Sequence, residues 1–191
     1  AMGGTAMHSD LVDIDHDGNL DLLVATTAGS FGANGRVLVY HGAGDGSFPE
    51  VAEYEVGLDP WWVVAGDLNG DGHLDLAVAD YGGSTVSIML GNSHGAFSAR
   101  EVIDVCWGPQ SVAIGDMNND GANDLVIGCM DSDTVELRVQ AADGKFELVR
   151  WWGTGSRPVS VKVADLNMDG VLDVAWANQL SNSVGMALSE P

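Results

Sequence analysis

Short apolar runs alternate with glycine- and aspartate-rich breaks along the whole chain. "RVLVYHG" from Arg36, "DLAVAD" from Asp75, "SVAIG" from Ser111 and "DLVIG" from Asp124 set Val, Ile, Leu or Ala at successive or alternate positions. Runs of this length, rich in β-branched residues and bounded by Gly, Asp and Asn, predict short strands. No window sustains helical spacing between caps, so helices are not expected.

The breaks themselves recur. "DIDHDGNLD" starts at Asp13, "DLNGDGHLD" at Asp67, "DMNNDGAND" at Asp116 and "DLNMDGVLD" at Asp165, at spacings of 54, 49 and 49 residues. Pro60, Pro109 and Pro158 each stand seven residues ahead of the first Asp, and Ala6 takes that place in the first copy. The first copy carries five additional residues within "TTAGSFGANGR", which accounts for the longer spacing. A unit of about 49 residues holding four strands has the size of a propeller blade. The expected fold is therefore all-β, a β-propeller of four-stranded blades at approximately 5–58, 59–107, 108–156 and 157–191. Counting strands from the inside, the acidic break joins the first to the second. In the last copy the Phe that opens the fourth strand would fall 22 residues after Asp173, past Pro191, so that blade is expected to be incomplete. The chain is part of a longer ring, or copies complete one another through the open edge, because an unpaired sheet edge invites another strand, or the four blades close on themselves.

Each break sets Asp or Asn at positions 1, 3 and 5, Gly at position 6 and Asp at position 9, while positions 2, 7 and 8 vary. Alternating oxygen side chains on a short loop suit calcium, a hard cation that takes 6–8 oxygen ligands; magnesium demands a stricter octahedron and keeps its waters. The candidate ligands are Asp13, Asp15, Asp17, Asn19 and Asp21; Asp67, Asn69, Asp71, His73 and Asp75; Asp116, Asn118, Asp120, Ala122 and Asp124; and Asp165, Asn167, Asp169, Val171 and Asp173. Position 7 (Asn19, His73, Ala122, Val171) contributes its backbone carbonyl, which leaves its side chain free to vary. About four Ca2+ ions, one per blade, are expected. An EF-hand needs Glu at position 12 between helices; that position is Val24, Val78, Ile127 and Trp176, in strand-like flanks.

Charge supports this reading. The chain has 28 Asp+Glu against 7 Lys+Arg, a formal net charge of −21. The four breaks carry thirteen of those acidic residues, and four dications would offset most of that charge. So acidic a surface argues against nucleic acid and anionic membranes. No apolar run reaches the roughly 18 residues of a membrane span. The opening "AMGG" looks like a cloning remnant, so the lack of a leader decides nothing.

The motif with its strand-like flanks, as in "PQSVAIGDMNNDGANDLVIG", resembles the FG-GAP or VCBS repeats of integrin α-subunit propellers and many bacterial surface proteins, over essentially the whole chain. The resemblance implies calcium in each turn, a ring of about seven blades and an extracellular or cell-surface location. It leaves the ligand open, since such propellers bind proteins, bind sugars or brace a neighbouring enzyme domain.

Loops on a rigid scaffold are where recognition concentrates. The face opposite the acidic turns is expected to carry Trp61, Tyr81, Trp107, Trp151 and Arg157 as ligand-binding candidates, together with Phe31 and Trp152. Trp176 aligns with Val24, Val78 and Ile127 and is expected to pack between blades. Cys106 and Cys129 are placed where a disulfide or two free thiols fit equally, and they do not fix the compartment. His16 and His73 sit at variable turn positions, and His41 and His94 in glycine-rich loops. No catalytic motif appears, and Glu50, Glu53, Glu55, Glu101, Glu136 and Glu147 read as a solvated outer face. The expectation is a non-catalytic, calcium-binding module that recognises protein or glycan. The alternatives are an accessory part of a polysaccharide-active enzyme and a self-assembling structural propeller.

Overall fold

The computed structural model describes residues 4–29 and 32–189; Phe31 lies outside them. Fifteen strands form four antiparallel sheets, each a meander in chain order. Blade one holds β1 (Ala6–Val12), β2 (Asp21–Thr26), β3 (Asn34–His41) and β4 (Glu50–Leu58). Blade two holds β5 (Pro60–Gly66), β6 (Asp75–Asp80), β7 (Thr85–Met89) and β8 (Glu101–Asp104), with a 3-10 turn at Tyr81–Gly83. Blade three holds β9 (Pro109–Gly115), β10 (Asp124–Cys129), β11 (Thr134–Gln140) and β12 (Phe146–Gly153). Blade four holds β13 (Pro158–Ala164), β14 (Asp173–Asn178) and β15 (Ser183–Ala187), three strands among the described residues. Among the described residues no helix is long and apolar enough to cross a membrane.

Burial follows position in the arc. The second strands of the middle blades, β6 and β10, are buried at every residue because a neighbouring blade covers each face. β2, at one end of the arc, is fully buried only at alternate residues. Side chains on opposite faces of a strand thus serve different neighbours. Leu23, Ala25, Val37 and Val39 of blade one meet Val63, Leu76, Val78 and Met89 of blade two. Ala77, Ala79, Val86 and Ile88 meet Val112, Leu125 and Ile127. Val126 and Val135 meet Val161, Val174 and Trp176. Trp176, 7% exposed, is an interblade core residue as its alignment implies. The inner strands converge: the His8 imidazole stacks on Trp62 with ring centroids 3.7 Å apart, and Lys162 of blade four lies 5.7 Å from the same indole. Burial is the main reason the His8 pKa is lowered.

Three sequence expectations are settled or changed here. Cys106 and Cys129 are joined as a disulfide. Trp152 is half-buried, packed against the core between blades three and four, its ring centroid 6.4 Å from that of Trp176. Glu136 does not belong to a solvated outer face: it lies on the third strand, 9% exposed, and accepts hydrogen bonds from Arg138 Nε and Nη2 at 3.2 and 3.0 Å. Its alternation along β11 looks like that of any surface strand, and only the cross-blade packing buries it.

Candidate functional site

The four acidic turns share one hydrogen-bond plan. The position-1 carboxylate caps the loop: Asp13 accepts from the N–H groups of Asp17 and Gly18 at 3.0 and 2.9 Å, and Asp116 from Asp120 and Gly121 at 3.1 and 2.9 Å. Asp165 does the same with Asp169 and Gly170, and Asp67 with Gly70 and Gly72. The position-5 carboxylate accepts the position-7 N–H in every copy: Asp17 from Asn19, Asp71 from His73, Asp120 from Ala122 and Asp169 from Val171. Those bonds are the chief reason the pKa values of Asp71 and Asp120 are lowered.

Glycine at position 6 answers a backbone demand. Gly18, Gly72, Gly121 and Gly170 have φ between +83° and +91°, and a Cβ there would meet nothing within 4 Å, so conformation and not space selects glycine. Position 4 is also left-handed, at His16, Gly70, Asn119 and Met168, with φ from +58° to +74°. Gly70, Asn119 and His16 hinted at this in the sequence, since Gly, Asn and His are over-represented in that region, and Met168 did not.

The position-9 aspartates differ from the rest. Asp21, Asp75, Asp124 and Asp173 are 0–1% exposed. Each accepts the position-2 N–H on one oxygen: Ile14, Leu68, Met117 and Leu166, at 2.7–2.9 Å. On the other oxygen each accepts an N–H at the end of the third strand or within two residues past it: Gly42, Gly91, Gln140 and Ser189, at 2.7–2.9 Å. One buried carboxylate thereby fastens the turn to the second hairpin of its blade. Burial pushes Asp75 and Asp124 above the ordinary carboxylate range, and the nearby position-1 and position-5 carboxylates push the same way.

In the first turn, oxygens of Asp13, Asp15 and Asp21 lie within 4.8 Å of one another. In the other three turns position 3 is an amide, Asn69, Asn118 or Asn167, whose Nδ2 donates to the position-5 carboxylate. Converging hard oxygen donors, one of them buried beside like charges, form a donor set that fits a calcium-sized dication. His41 is a residue the sequence placed in a loop; it ends β3, and its Nδ1 is 3.8 Å from Asp21 and 4.0 Å from Asp15.

On the opposite side the proposed ligand residues fall into two groups. Trp61 and Tyr81 stack at 4.3 Å, and the Tyr81 hydroxyl donates to Asp131 of blade three at 2.8 Å. Arg157, from the link into blade four, is close enough for its charge to act on Tyr81. Its backbone is left-handed, with φ +59°, and its N–H donates to Asp133. Trp107 and Trp151 lie apart from these, 73% and 63% exposed, along a groove of about 410 Å³ that also includes Cys106, Leu148, Glu136 and Arg138. Arg138 also lines a larger cleft, about 970 Å³, between blades two and three, with Leu68, Ile103 and Phe146 in its walls.

Comparisons with known proteins agree with this architecture. The chain is similar to BBS1N, crystallised in complex with ARL6DN and soaked with lead, at 17% identity and TM-score 0.59, over 92% of this chain and 48% of that one. It is similar to a functionally unknown protein from Desulfotomaculum acetoxidans DSM 771, at 14% identity and TM-score 0.62, over 96% of this chain and 55% of that one. It is also similar to the V. cholerae biofilm matrix protein Bap1, at 18% identity and TM-score 0.54, over 95% of this chain and 30% of that one. The chain thus spans about half the length, or less, of these proteins. No curated protein sequence matches it. A model described as an FG-GAP-like repeat matches residues 13–78, 67–127 and 116–176. With the repeat covering most of its length, the chain belongs to the FG-GAP-like repeat family.

Proposed function

We propose that this chain is a calcium-braced, non-catalytic recognition module of the cell surface or extracellular space, which takes a protein or glycan on the face opposite its acidic turns. The observation that carries the calcium part is the convergence of Asp13, Asp15 and Asp21 oxygens within 4.8 Å, on a turn plan repeated four times. Positions 1, 3, 5 and 9 would hold the ion with side-chain oxygens and position 7 with its carbonyl. The ion's role is electrostatic: it neutralises the like charges that add to burial in raising the Asp75 and Asp124 pKa values, and so fixes the bend between the first two strands of each blade. Recognition draws support from the half-buried Trp61–Tyr81 stack and from the two exposed tryptophans along one groove, since aromatic rings anchor both protein and sugar ligands. The similarity to BBS1N, a protein crystallised with a protein partner, favours protein over glycan.

Calcium is expected to raise the melting temperature and chelation to reverse it, by mass action on the native state. Asp71→Ala should reduce the calcium-dependent shift more than His73→Ala, because only Asp71 offers a side-chain oxygen. Equal losses in the two variants, read by calorimetry with and without calcium, overturn the ligand assignment. Binding is tested separately with a glycan array and a cell-surface protein panel, using Trp107→Ala and Trp61→Ala as paired controls.

A further inference from the structure

The acidic turns of the two middle blades are tied to each other by side chains. Asn123, at position 8 of turn three (116–124), donates from Nδ2 to the carbonyl of Asp67, the first residue of turn two (67–75), at 2.8 Å. Gln140 Nε2 donates to the next carbonyl along, that of Leu68. Blade two has Leu74 and Gly91 at the places of Asn123 and Gln140. Leu74 packs against the core between blades one and two, and Gly91 has no side chain with which to reach turn one. Blade four has Leu172 and Ser189 there, and Leu172 likewise packs against an interblade core. The place that the neighbouring blades fill with leucine therefore holds, in blade three, an amide bonded to the adjacent turn. Among the described residues no side-chain hydrogen bond joins turn one to turn two, and turn four receives one, an exposed bond from Asn119 Nδ2 to the Gly170 carbonyl at 3.2 Å.

The bonds between turns two and three fall on the backbone that presents the candidate ligands. Asn123 stands between Ala122, the position-7 carbonyl, and Asp124, the position-9 carboxylate, and its partner belongs to the position-1 residue of the other turn. Leu68 is held from both sides: its N–H donates to Asp75 at 2.7 Å, and its C=O accepts from the Gln140 side chain. The Gln140 N–H donates in turn to Asp124 at 2.9 Å. The two buried position-9 carboxylates, Asp75 and Asp124, are thus connected through Leu68 and Gln140 by an unbroken run of hydrogen bonds.

We propose, on the reading that calcium occupies these turns, that Asn123 and Gln140 are positioning residues that couple the sites of blades two and three, so that an ion in either raises the affinity of the other, while the site of blade one binds independently. An ion that fixes Asp67 and Asp75 fixes the Asp67 and Leu68 carbonyls with them. Those carbonyls hold Asn123 and Gln140, and through them the Ala122 carbonyl and the Asp124 carboxylate, in the arrangement the second ion requires. Ordering brought about by one ion is then not repeated for the other, and linkage makes the effect equal in both directions. Turn two carries three carboxylates, Asp67, Asp71 and Asp75, so it stays net negative with a dication in place and does not repel the ion entering turn three.

The test is calcium titration of the whole chain by calorimetry in two backgrounds. Asp17→Ala with Asp169→Ala removes a position-5 carboxylate from turns one and four and leaves the pair in blades two and three. Asp120→Ala with Asp169→Ala leaves the pair in blades one and two. The first background should bind two ions, the second about tenfold more tightly than the first, within the usual span of coupling between sites. The other background should bind two ions independently. Asn123→Leu installs the residue that blades two and four carry at this place, so it should keep the parent circular dichroism and bind two ions with most of the coupling lost. Gln140→Ala, tested by itself, should lower the coupling as well, so the outcome does not hang on one variant. Independent binding in blades two and three overturns the proposal, as does coupling that survives both substitutions together. Equal coupling in blades one and two overturns it also, since cooperativity would then come from folding of the chain at large. Each of those results still shows two bound ions; a chain that takes up no calcium in either background overturns the calcium reading itself, and the coupling with it.

Discussion

Blades two and three solve one mechanical problem with different chemistry. Each must hold the incoming link against the end of its second strand. In blade two the Gly57 N–H donates to Asp80 Oδ1 at 2.9 Å, and Asp80 Oδ2 accepts from the hydroxyls of Ser87 and Thr85 at 2.5 and 3.2 Å. In blade three the same two places are Cys106 and Cys129, joined covalently, with Cα atoms 5.8 Å apart. Both pairs are 23 residues apart in sequence, and Gly57 and Cys106 each stand three residues before the proline that opens the blade. In blade four the corresponding residues are Gly155 and Asn178, also in close approach. The repeat thus fixes where the pin must sit and leaves its chemistry free. The two solutions differ in what they respond to: a disulfide carries no charge, whereas burial pushes the Asp80 carboxyl up to about 6.

The largest effect expected from this contrast belongs to the covalent pin. Closing a loop of this size restricts the unfolded chain by about 3 kcal/mol. The Cys106→Ser, Cys129→Ser double variant should lose about that much in urea unfolding. Reductant should weaken the parent by a similar amount and leave the double variant unchanged. A loss under about 1 kcal/mol would mean that the remaining bonds at this corner, Met130 N–H to Gly108 at 2.8 Å and Trp107 N–H to Ser132 Oγ at 3.0 Å, suffice to hold the link.

The carboxylate pin should appear instead in the pH dependence. Asp80 is ionised at a higher pH in the fold, about 6, than its ordinary 3.8. Between those values the folded state binds the proton more tightly, so stability falls as pH rises from about 4 to about 6 and then levels off. The gap corresponds to up to about 3 kcal/mol. Burial also pushes Asp75 and Asp124 upward, so the measurement is the difference between the parent and Asp80→Asn. Asparagine can accept from Gly57 and donate to Ser87, and Asn178 already stands at that place in blade four. The two proteins should be equally stable near pH 4, and the variant more stable at pH 7. Parallel curves would show that Asp80 is not the source of the slope.

A smaller effect tests how closely the link approaches. A Cβ on Gly57 would collide with the Asp80 carboxyl. Gly57→Ala should therefore cost about 2 kcal/mol through crowding. In an Asp80→Ala background much of that cost should vanish, giving a coupling that a double-mutant cycle detects. Additive losses would place the strain in the backbone of Gly57 and not in its contact with Asp80.

The same contrast explains what could be read from the sequence. The acidic turns were legible because each oxygen position has the same task in every copy: a position-1 carboxylate caps the loop, through the position-6 N–H and that of position 5 or, at Asp67, position 4, and a position-9 carboxylate accepts two N–H groups. The strands were legible because Val, Ile and Leu recur where blades pack. The Cys106–Cys129 pair was legible as a possible bond, but its equivalence to the other pins was not, because Asp80, Cys129 and Asn178 share a location and no side-chain chemistry, so no residue type repeats there. Glu136 was misjudged for a related reason: its partner Arg138 lies on its own strand, and what buries the pair comes from packing between blades. Left-handed backbone at Met168 left no compositional trace either.

The smallest expected effect moves blade two's chemistry into blade four. Asn178 is 5% exposed, its Nδ2 donates to Ser183 Oγ at 3.1 Å, and its Oδ1 has no hydrogen-bond partner among the described residues. Asn178→Asp therefore replaces an amide that is only half satisfied. The carboxylate can still accept from Ser183, but no glycine N–H is bonded to it as Gly57 is to Asp80. It also sits in the blade whose outer face is open, so water screens it better than it does Asp80. The variant should lose about 1 kcal/mol at pH 7 and nothing near pH 4, where the new carboxyl carries its proton. If the loss instead matched the slope assigned to Asp80, exposure of the blade-four face would not matter to this position, and the pins of the end blade and the middle blade would be equivalent. If the loss were absent at every pH, hydrogen bonding to Ser183 alone would satisfy the charge.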